Sequence, residues 1–257
     1  MSASTDDLPH AVLFDFGGTL DADGLPSVAQ FDLAYRAEGG TRDPGAFADA
    51  FRTSDWQLAS LAHVAGLAFT ATVDAQIALL AALLPGESHV DWRAVAARVT
   101  AAAHAVAARN RPLLQSLHAH ARLGVVSNFT GNVDRCLDEL GLLDLFDAIA
   151  DSAVVGHAKP DPELFRTALR ALDTPPANAM MVGDNPFADV RPAAALGMRT
   201  CWLAPLQRPA PDGCTPTHRI ARLPDLLAVL GVDPRVRGDD GRGRSHPRAS
   251  ANPPLVR

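Results

Sequence analysis

The order of strand-like and helical segments constrains the fold of this chain more than any other feature. Residues 10–15, HAVLFD, form a short apolar segment typical of a buried parallel strand. Residues 25–108 show helical spacing without a comparable segment, and beyond Arg109 short apolar segments alternate with helices. Such alternation implies right-handed βαβ units. The sequence therefore predicts an α/β fold with a Rossmann-like, doubly wound parallel sheet as its core and an inserted α-helical domain.

The same pattern predicts the domain boundaries. The core is expected to comprise residues 1–22 and 109–232, with the helical insert at 23–108. The segment 233–257 is rich in Arg, Gly, Pro, Asp and Ser, so it is predicted to be disordered. A helix of the insert is expected to end at Asn110, and a separate one to occupy 112–121. After the first strand, further strands are predicted at 122–128, 146–152, 179–184, 199–204 and 218–221.

Composition excludes several classes of protein. Apolar residues make up 47% of the 257 residues, enough for a sizeable core, and the formal net charge of −6 argues against a nucleic-acid or anionic-membrane binder. The N-terminus lacks an apolar signal region, and the run IALLAALL is too short to span a bilayer. We therefore expect a cytoplasmic protein, either a monomer or a homodimer, whose partner is a small molecule.

Polar residues follow four of the predicted strands. Because ligands collect at the carboxyl ends of parallel strands, these residues are expected to meet in one crevice. Carboxylates and backbone oxygens hold Mg²⁺, a lysine neutralises a phosphoryl group, and a free carboxylate attacks phosphorus in line. Lys159 is the only lysine among 23 basic residues, which singles it out. The segments in question are Asp15 to Thr19, Ser127-Asn128, Lys159-Pro160 and Gly183-Asp184, with Asp189 five residues further on.

This ordered set resembles the haloacid dehalogenase-like (HAD) hydrolase superfamily, over about residues 10 to 205. The resemblance rests on FDFGGTL, VVSN, AKPDPELF and VGDNPFADV, taken in that order. The helical segment between the first two motifs matches the family's helical cap. The resemblance implies a Mg²⁺-dependent hydrolase, and we expect a phosphatase that acts on a small phosphorylated metabolite.

The resemblance also implies a role for each matching residue. Asp15 would be the nucleophile and form an aspartyl intermediate, with Lys159 holding it and the phosphoryl group together. Thr19, Ser127 and the backbone of Asn128 would bind the transferred group. The metal ligands would be Asp15, the backbone carbonyl of Gly17, Asp184 and Asp189, and Gly183 would allow a tight turn at the end of its strand.

Gly17 departs from the family's pattern. The phosphatases of the family usually carry an aspartate there, which protonates the leaving oxygen and later activates water. Glycine keeps the backbone carbonyl but loses this proton shuttle, which is typically worth about 10²–10⁴-fold in rate. A phosphatase would then need substrates with good leaving groups, or an acid/base group from the cap. Asp55, His63 and His104 are the candidates by residue type.

Three alternatives remain open at this point. A 2-haloacid dehalogenase also lacks the second aspartate, but it needs no metal and lacks the acidic GDNPFAD pattern. A phosphonate-cleaving enzyme has a small residue at this position, but it requires a second lysine, which this chain does not have. The third alternative is a catalytically weak protein that binds a phosphorylated ligand or another partner.

Substrate specificity in this family is set by cap residues. Trp56 and Trp92 could stack on a substrate, although packing between helices is the preferred interpretation. Arg36, Arg52 and Arg93 could bind an anionic substrate tail, and nothing in their spacing favours one of them.

Overall fold

A computed structural model describes residues 8–233 of the chain. Its core is a six-stranded sheet with the order β3-β2-β1-β4-β5-β6, in which every neighbouring pair is parallel. The order reverses direction at β1, as in a doubly wound sheet, so the predicted fold class is confirmed. The strands are β1 (Ala11–Phe14), β2 (Arg122–Ser127), β3 (Ala148–Asp151), β4 (Ala179–Gly183), β5 (Arg199–Leu203) and β6 (His218–Ile220).

Strand β1 is central and buried on both faces. Val12 and Phe14 pack into one apolar cluster, and Ala11 and Leu13 pack into another on the opposite face. The strand is therefore continuously apolar, as parallel strands with covered faces are. Asp15 follows at the carboxyl edge of the sheet, between the ends of β2 and β4.

Nine α-helices occur in the described residues. Four lie between β1 and β2 and form the helical insert: α1 (Ser27–Ala37), α2 (Pro44–Ala59), α3 (Phe69–Leu83) and α4 (Trp92–His118). The Tyr35 ring stacks on Phe47 and Trp92, with centroid distances of 4.9 and 5.5 Å, and so joins three of these helices. The remaining helices are α5 (Val133–Glu139), α6 (Ser152–Val155), α7 (Pro162–Ala171), α8 (Arg191–Ala195) and α9 (Leu226–Leu230).

Helix α4 differs from the sequence-based expectation. It runs without a break through Pro112, where two separate helices were predicted, and residue 108, the predicted end of the insert, lies inside it. Proline donates no N–H and normally ends a helix. Here the helix continues because both of its halves are packed. Ala103 and Ala107 are buried before the proline, and Leu114 and Leu117 after it.

The ends of the chain lie outside this description. Of the segment 233–257, for which disorder is predicted, only Asp233 belongs to the described residues. None of the helices between residues 8 and 233 combines the length and apolar composition needed to cross a bilayer.

Replacing Pro112 is expected to stabilise the protein. Alanine would restore the N–H that the carbonyl of residue 108 lacks, and we expect Pro112→Ala to raise the free energy of unfolding by about 1–2 kcal/mol in urea titrations. Pro162→Ala is the control, because Pro162 occupies the first turn of α7, where proline is well tolerated. An equal gain at both positions, or a loss at position 112, would contradict this account of α4.

Candidate active site

The side chain of Asp15 is held by one of its two oxygens. Oδ1 accepts hydrogen bonds from the backbone N–H of Phe16 at 2.7 Å and from Ser127 Oγ at 3.0 Å. Lys159 Nζ lies 2.8 Å from the same oxygen. Asp15 Oδ2 accepts no hydrogen bond from residues 8–233. Three donors therefore fix the orientation of the carboxylate and leave its second oxygen available.

Lys159 is buried between two acids. Its Nζ lies 2.7 Å from Asp189 Oδ1 as well as close to Asp15. Burial lowers the pKa of Lys159, but the two carboxylates outweigh that effect and hold the pKa above its ordinary value. Asn128 fixes the backbone at this point, because its Oδ1 accepts from Lys159 N at 2.6 Å and its Nδ2 donates to Lys159 O at 2.9 Å. The side chain of Asn128 thus positions the ammonium, a role the sequence did not indicate.

Asp15, Asp184 and Asp189 form a buried acidic cluster, in which one oxygen of each lies within 4.8 Å of the others. Burial raises the pKa of Asp184, and the charge of Asp15 adds to the rise. Burial also raises the pKa of Asp189, against the opposing effect of Lys159. Three acids around one ammonium leave an excess of negative charge and several oxygen donors. This donor set fits a hard divalent cation such as Mg²⁺.

Two glycines let the acids of the cluster approach the backbone. A Cβ on Gly18, whose φ is +83°, would lie 2.7 Å from Asp184 Oδ1. A Cβ on Gly183 would collide with the side chain of Asp189. Gly183 is therefore required for this close approach, and the tight turn expected from the sequence stays a prediction.

Thr19 differs from the other predicted substrate-binding residues in its contacts. Its side chain is fully buried, and its Oγ1 donates to Asp184 Oδ1 at 3.3 Å. Ser127 and Asn128 line a cavity beside Asp15, whereas Thr19 is not among the lining residues described. The contact of Thr19 is thus with a predicted metal ligand, and its binding of the transferred group stays a prediction.

The cavity has a volume of about 530 Å³ and lies between the carboxyl edge of the sheet and the helical insert. Asp15, Gly17, Lys159 and Asp184 belong to the lining at the sheet edge, and residues of α1, α2 and α3 belong to the lining at the insert. Of the three acid/base candidates from the insert, Asp55 lines the cavity, whereas His63 and His104 are not among its described lining residues.

The space beside Gly17 is filled by a hydroxyl group. Gly17 has φ −68° and ψ 126°, which any L-residue adopts, so its backbone does not require glycine. A Cβ built there would lie 3.2 Å from Ser27 Oγ, at the first residue of α1. Ser27 also lines the cavity. The position at which the family's second aspartate would project therefore faces the Ser27 hydroxyl.

Comparison with known proteins identifies the family. The family model described as haloacid dehalogenase-like hydrolase matches residues 9–197. This chain belongs to the haloacid dehalogenase-like hydrolases. The resemblance inferred from the four motifs is thereby confirmed, and the protein is a hydrolase of this family.

Curated relatives of this HAD-like hydrolase include several phosphatases. The pyrimidine 5'-nucleotidase YjjG of Escherichia coli is 33% identical over 120 residues, 46% of this chain and 53% of that protein. The phosphoserine phosphatase of Thermus thermophilus is 42% identical over 87 residues, 34% of this chain and 35% of that protein. The chain thus spans about half, or less, of the length of these relatives.

Solved structures support the fold over a longer range. A dehalogenase solved with an intermediate complex superposes with a TM-score of 0.62 at 18% identity, covering 88% of this chain and 99% of that one. At this identity the match shows the shared HAD fold and does not indicate the reaction.

Several cavity residues of this HAD-like hydrolase were missed by sequence reasoning. Asp21 is buried and accepts a hydrogen bond from Gly18 N at 2.7 Å, and burial raises its pKa to about 7. Gln30 and Gln76 are buried polar residues on α1 and α3. The sequence does carry a signal for such residues, namely a polar residue on the face of a helix that is otherwise apolar. Gln76 is an example, because it shares the buried face of α3 with Val73 and Ile77.

Trp56 also differs from its expected role. Packing between helices was the preferred interpretation, but Trp56 is 72% exposed and lines the cavity. Trp92 does pack between helices, against Tyr35.

The acidic cluster predicts a characteristic response to Asp184→Asn. Because the folded-state pKa of Asp184 is raised, ionising it destabilises the folded protein, and this loss grows as the pH rises above the ordinary carboxyl value. With divalent cations removed by a chelator, we therefore expect Asp184→Asn to have a Tm about 2–6 °C above that of the wild-type protein at pH 8.5, and a smaller difference at pH 5.5. Mg²⁺ should raise the Tm of the wild-type protein and not that of the variant.

The control for this experiment is Asp138→Asn, which alters an exposed acid on α5. It should leave both the Tm and its response to Mg²⁺ as in the wild-type protein. A Mg²⁺ shift that survives in Asp184→Asn would show that the cation binds elsewhere.

Proposed function

We propose that this protein is a Mg²⁺-dependent phosphatase that acts on a small phosphorylated metabolite through an aspartyl-phosphate on Asp15. The observation that carries the proposal is the asymmetry of the Asp15 carboxylate. Its Oδ1 contacts three donors, from Phe16, Ser127 and Lys159, while Oδ2 has no recorded partner among the described residues. A carboxylate held in this way presents one oriented oxygen to the cavity, as in-line attack requires.

The proposed reaction has two steps. Asp15 Oδ2 attacks phosphorus, an O–P bond to Asp15 forms, and the bond from phosphorus to the ester oxygen breaks with its electron pair leaving on that oxygen. Water then attacks phosphorus, the bond to Asp15 breaks, and inorganic phosphate and the free carboxylate result. Lys159 and Ser127 hold the carboxylate in both steps, and the ammonium also offsets negative charge on the transferred group.

The metal would be held by Asp15, Asp184, Asp189 and the backbone carbonyl of Gly17. When bound, Mg²⁺ would offset the charge of the phosphoryl oxygens. Thr19 would support this site through its hydrogen bond to Asp184. Trp202 fixes the main chain at the same position, because its Nε1 donates to Asp184 O at 2.9 Å.

The relatives support a phosphatase more than the alternatives. The matched curated proteins include a nucleotidase and a phosphoserine phosphatase, both of which act on phosphate esters by name. A metal-free dehalogenase would gain nothing from the buried cluster of Asp15, Asp184 and Asp189.

Asp15→Asn tests the reaction class. With Mg²⁺ and p-nitrophenyl phosphate, we expect phosphate release from the wild-type protein and a loss of at least about 10³-fold in the variant, because an amide is a poor nucleophile. Asp138→Asn should retain wild-type activity. Equal background in the wild-type protein and Asp15→Asn would favour a binding protein, and chloride release from a 2-haloacid without metal would favour a dehalogenase.

Gly17 predicts a strong dependence on the leaving group. With no side chain at position 17 to give a proton, kcat/KM for p-nitrophenyl phosphate should greatly exceed that for a simple alkyl phosphate. Gly17→Asp combined with Ser27→Ala, which removes the hydroxyl 3.2 Å from the new Cβ, should narrow this ratio by about 10–10²-fold. Gly17→Asp alone should narrow it less, because Ser27 crowds the added side chain.

Ser27→Ala alone is the control for this comparison, since it supplies no acid. If a folded double variant keeps the wild-type ratio, the missing proton donor at position 17 does not limit the reaction.

A further inference from the structure

We propose that the part of the cavity lined by the helical insert binds a nucleobase, so that the phosphorylated substrate is a nucleoside monophosphate. This inference rests on the proposed phosphatase function and adds its substrate class. It is carried by two buried amide side chains, an exposed indole ring at the cavity, and the charges of the cavity-lining residues.

The first observation is a buried amide without a full set of partners. Gln30, on α1, is 6% exposed and lines the cavity. Its Oε1 is buried and has no hydrogen-bond partner among the described residues. An unsatisfied buried polar atom destabilises the protein, and a ligand that donates a hydrogen bond to it removes that cost. Gln30 therefore points to a ligand with a hydrogen-bonding edge.

A second amide comes from a different helix. Gln76, on α3, is 7% exposed and also lines the cavity. Its Nε2 donates to Asp55 Oδ1 over 3.4 Å, which is long for such a bond and easily exchanged for a ligand atom. Side-chain amides carry donors and an acceptor side by side, which is why they read the edges of nucleobases.

Aromatic and apolar side chains surround these amides. Trp56 lines the cavity and is 72% exposed, which is unusual for a residue with so large an apolar ring. Phe31, Phe51 and Phe69 are buried and form further parts of the wall. A flat ring system binds such a surface by stacking and by burying apolar area, as single-stranded bases do on aromatic side chains.

The charges of the cavity disfavour a second anionic group on the substrate. The cationic residues described in its lining are Lys159 and Arg52. Lys159 is already paired with Asp15 and Asp189. Arg52 is 68% exposed and forms an ion pair with Asp49. The buried amides thus have no cation beside them that could neutralise a carboxylate or a second phosphate.

Three features of the described lining indicate which group the phosphate ester carries. They are the neutral donors and acceptors, the stacking surface and the lack of an unpaired buried cation. A nucleobase supplies an uncharged hydrogen-bonding edge and a flat apolar face. A phosphoamino acid or a sugar bisphosphate would bring a carboxylate or a second phosphate without a free cation in the described lining to pair with it, and burying an unpaired anion is costly. The cavity volume of about 530 Å³ lies within the range of small-molecule sites.

The test compares substrates and variants of the full chain with Mg²⁺. The substrates are a panel of nucleoside 5'-monophosphates, phosphoserine, a hexose bisphosphate and p-nitrophenyl phosphate. We expect kcat/KM for the best nucleotide to exceed that for phosphoserine and the bisphosphate by at least about 10-fold. Gln30→Leu and Gln76→Leu should each lower the ratio of nucleotide to aryl phosphate kcat/KM by about 5- to 20-fold.

Gln115→Leu, an exposed glutamine of α4, should leave that ratio unchanged. A second measurement covers variants that fold poorly. The corresponding free nucleoside should competitively inhibit hydrolysis of the aryl phosphate by the wild-type protein, whereas serine and ribose should not.

The outcomes separate this inference from the proposed function. If no Asp15-dependent phosphate release occurs with any substrate, the phosphatase proposal itself fails. If aryl phosphate is hydrolysed through Asp15 but nucleotides are no better than phosphoserine, the nucleobase proposal alone is overturned. The nucleobase proposal is also overturned if nucleosides do not inhibit hydrolysis of the aryl phosphate, or if the glutamine variants lower kcat/KM equally for all substrates.

Discussion

The rest of the site depends on the buried ion pairs that Lys159 makes with Asp15 and Asp189, at 2.8 and 2.7 Å. Burying charges is costly, and a pair of this kind contributes little to net stability once desolvation is counted. Its consequence here is geometric. The compact ammonium fits between two carboxylates, which the broader planar group of arginine would not do in the same way. The single lysine of an arginine-rich chain stands where that fit is needed.

The sheet makes these contacts possible. Phe14 of β1 pairs with Val125 of β2 and with Val182 of β4, so Asp15 emerges between the two neighbouring strand ends. Ser127 approaches it from one side and Asp184 from the other. Because all strands are parallel, their carboxyl ends and polar side chains lie at one edge. The topology thus concentrates more acid at that edge than one ammonium can balance.

Sequence alone predicted the features encoded by local patterns. The first five strands were found because each contains a short apolar run, whereas β6 (HRI) is a short edge strand with one apolar residue, and the edge cluster followed from the residues after the first four strands. Other features depend on tertiary contacts. Helix α4 passes through Pro112 because packing on both sides outweighs the lost hydrogen bond, and Gly183 is needed because Asp189 folds back over it. The Ser27 hydroxyl beside Gly17 could not be inferred, since nothing in the sequence relates two residues ten positions apart across a loop and a helix start.

The end of the cavity at the sheet edge is strongly charged, and the end at the helical insert carries neutral amides. This difference bears on how a protein with no acid at position 17 could still discriminate between substrates. In the proposed reaction, the strong charges at the sheet edge would bind any phosphoryl group and would not distinguish one ester from another. Discrimination must then come from the insert, where Gln30 and Gln76 offer uncharged hydrogen bonds. Binding energy from a remote part of a substrate can be used to orient the reacting group. If the proposed reaction is right, a substrate that fits both ends would therefore lose least from the missing proton donor, because binding at the insert would hold its phosphoryl group in line with Asp15.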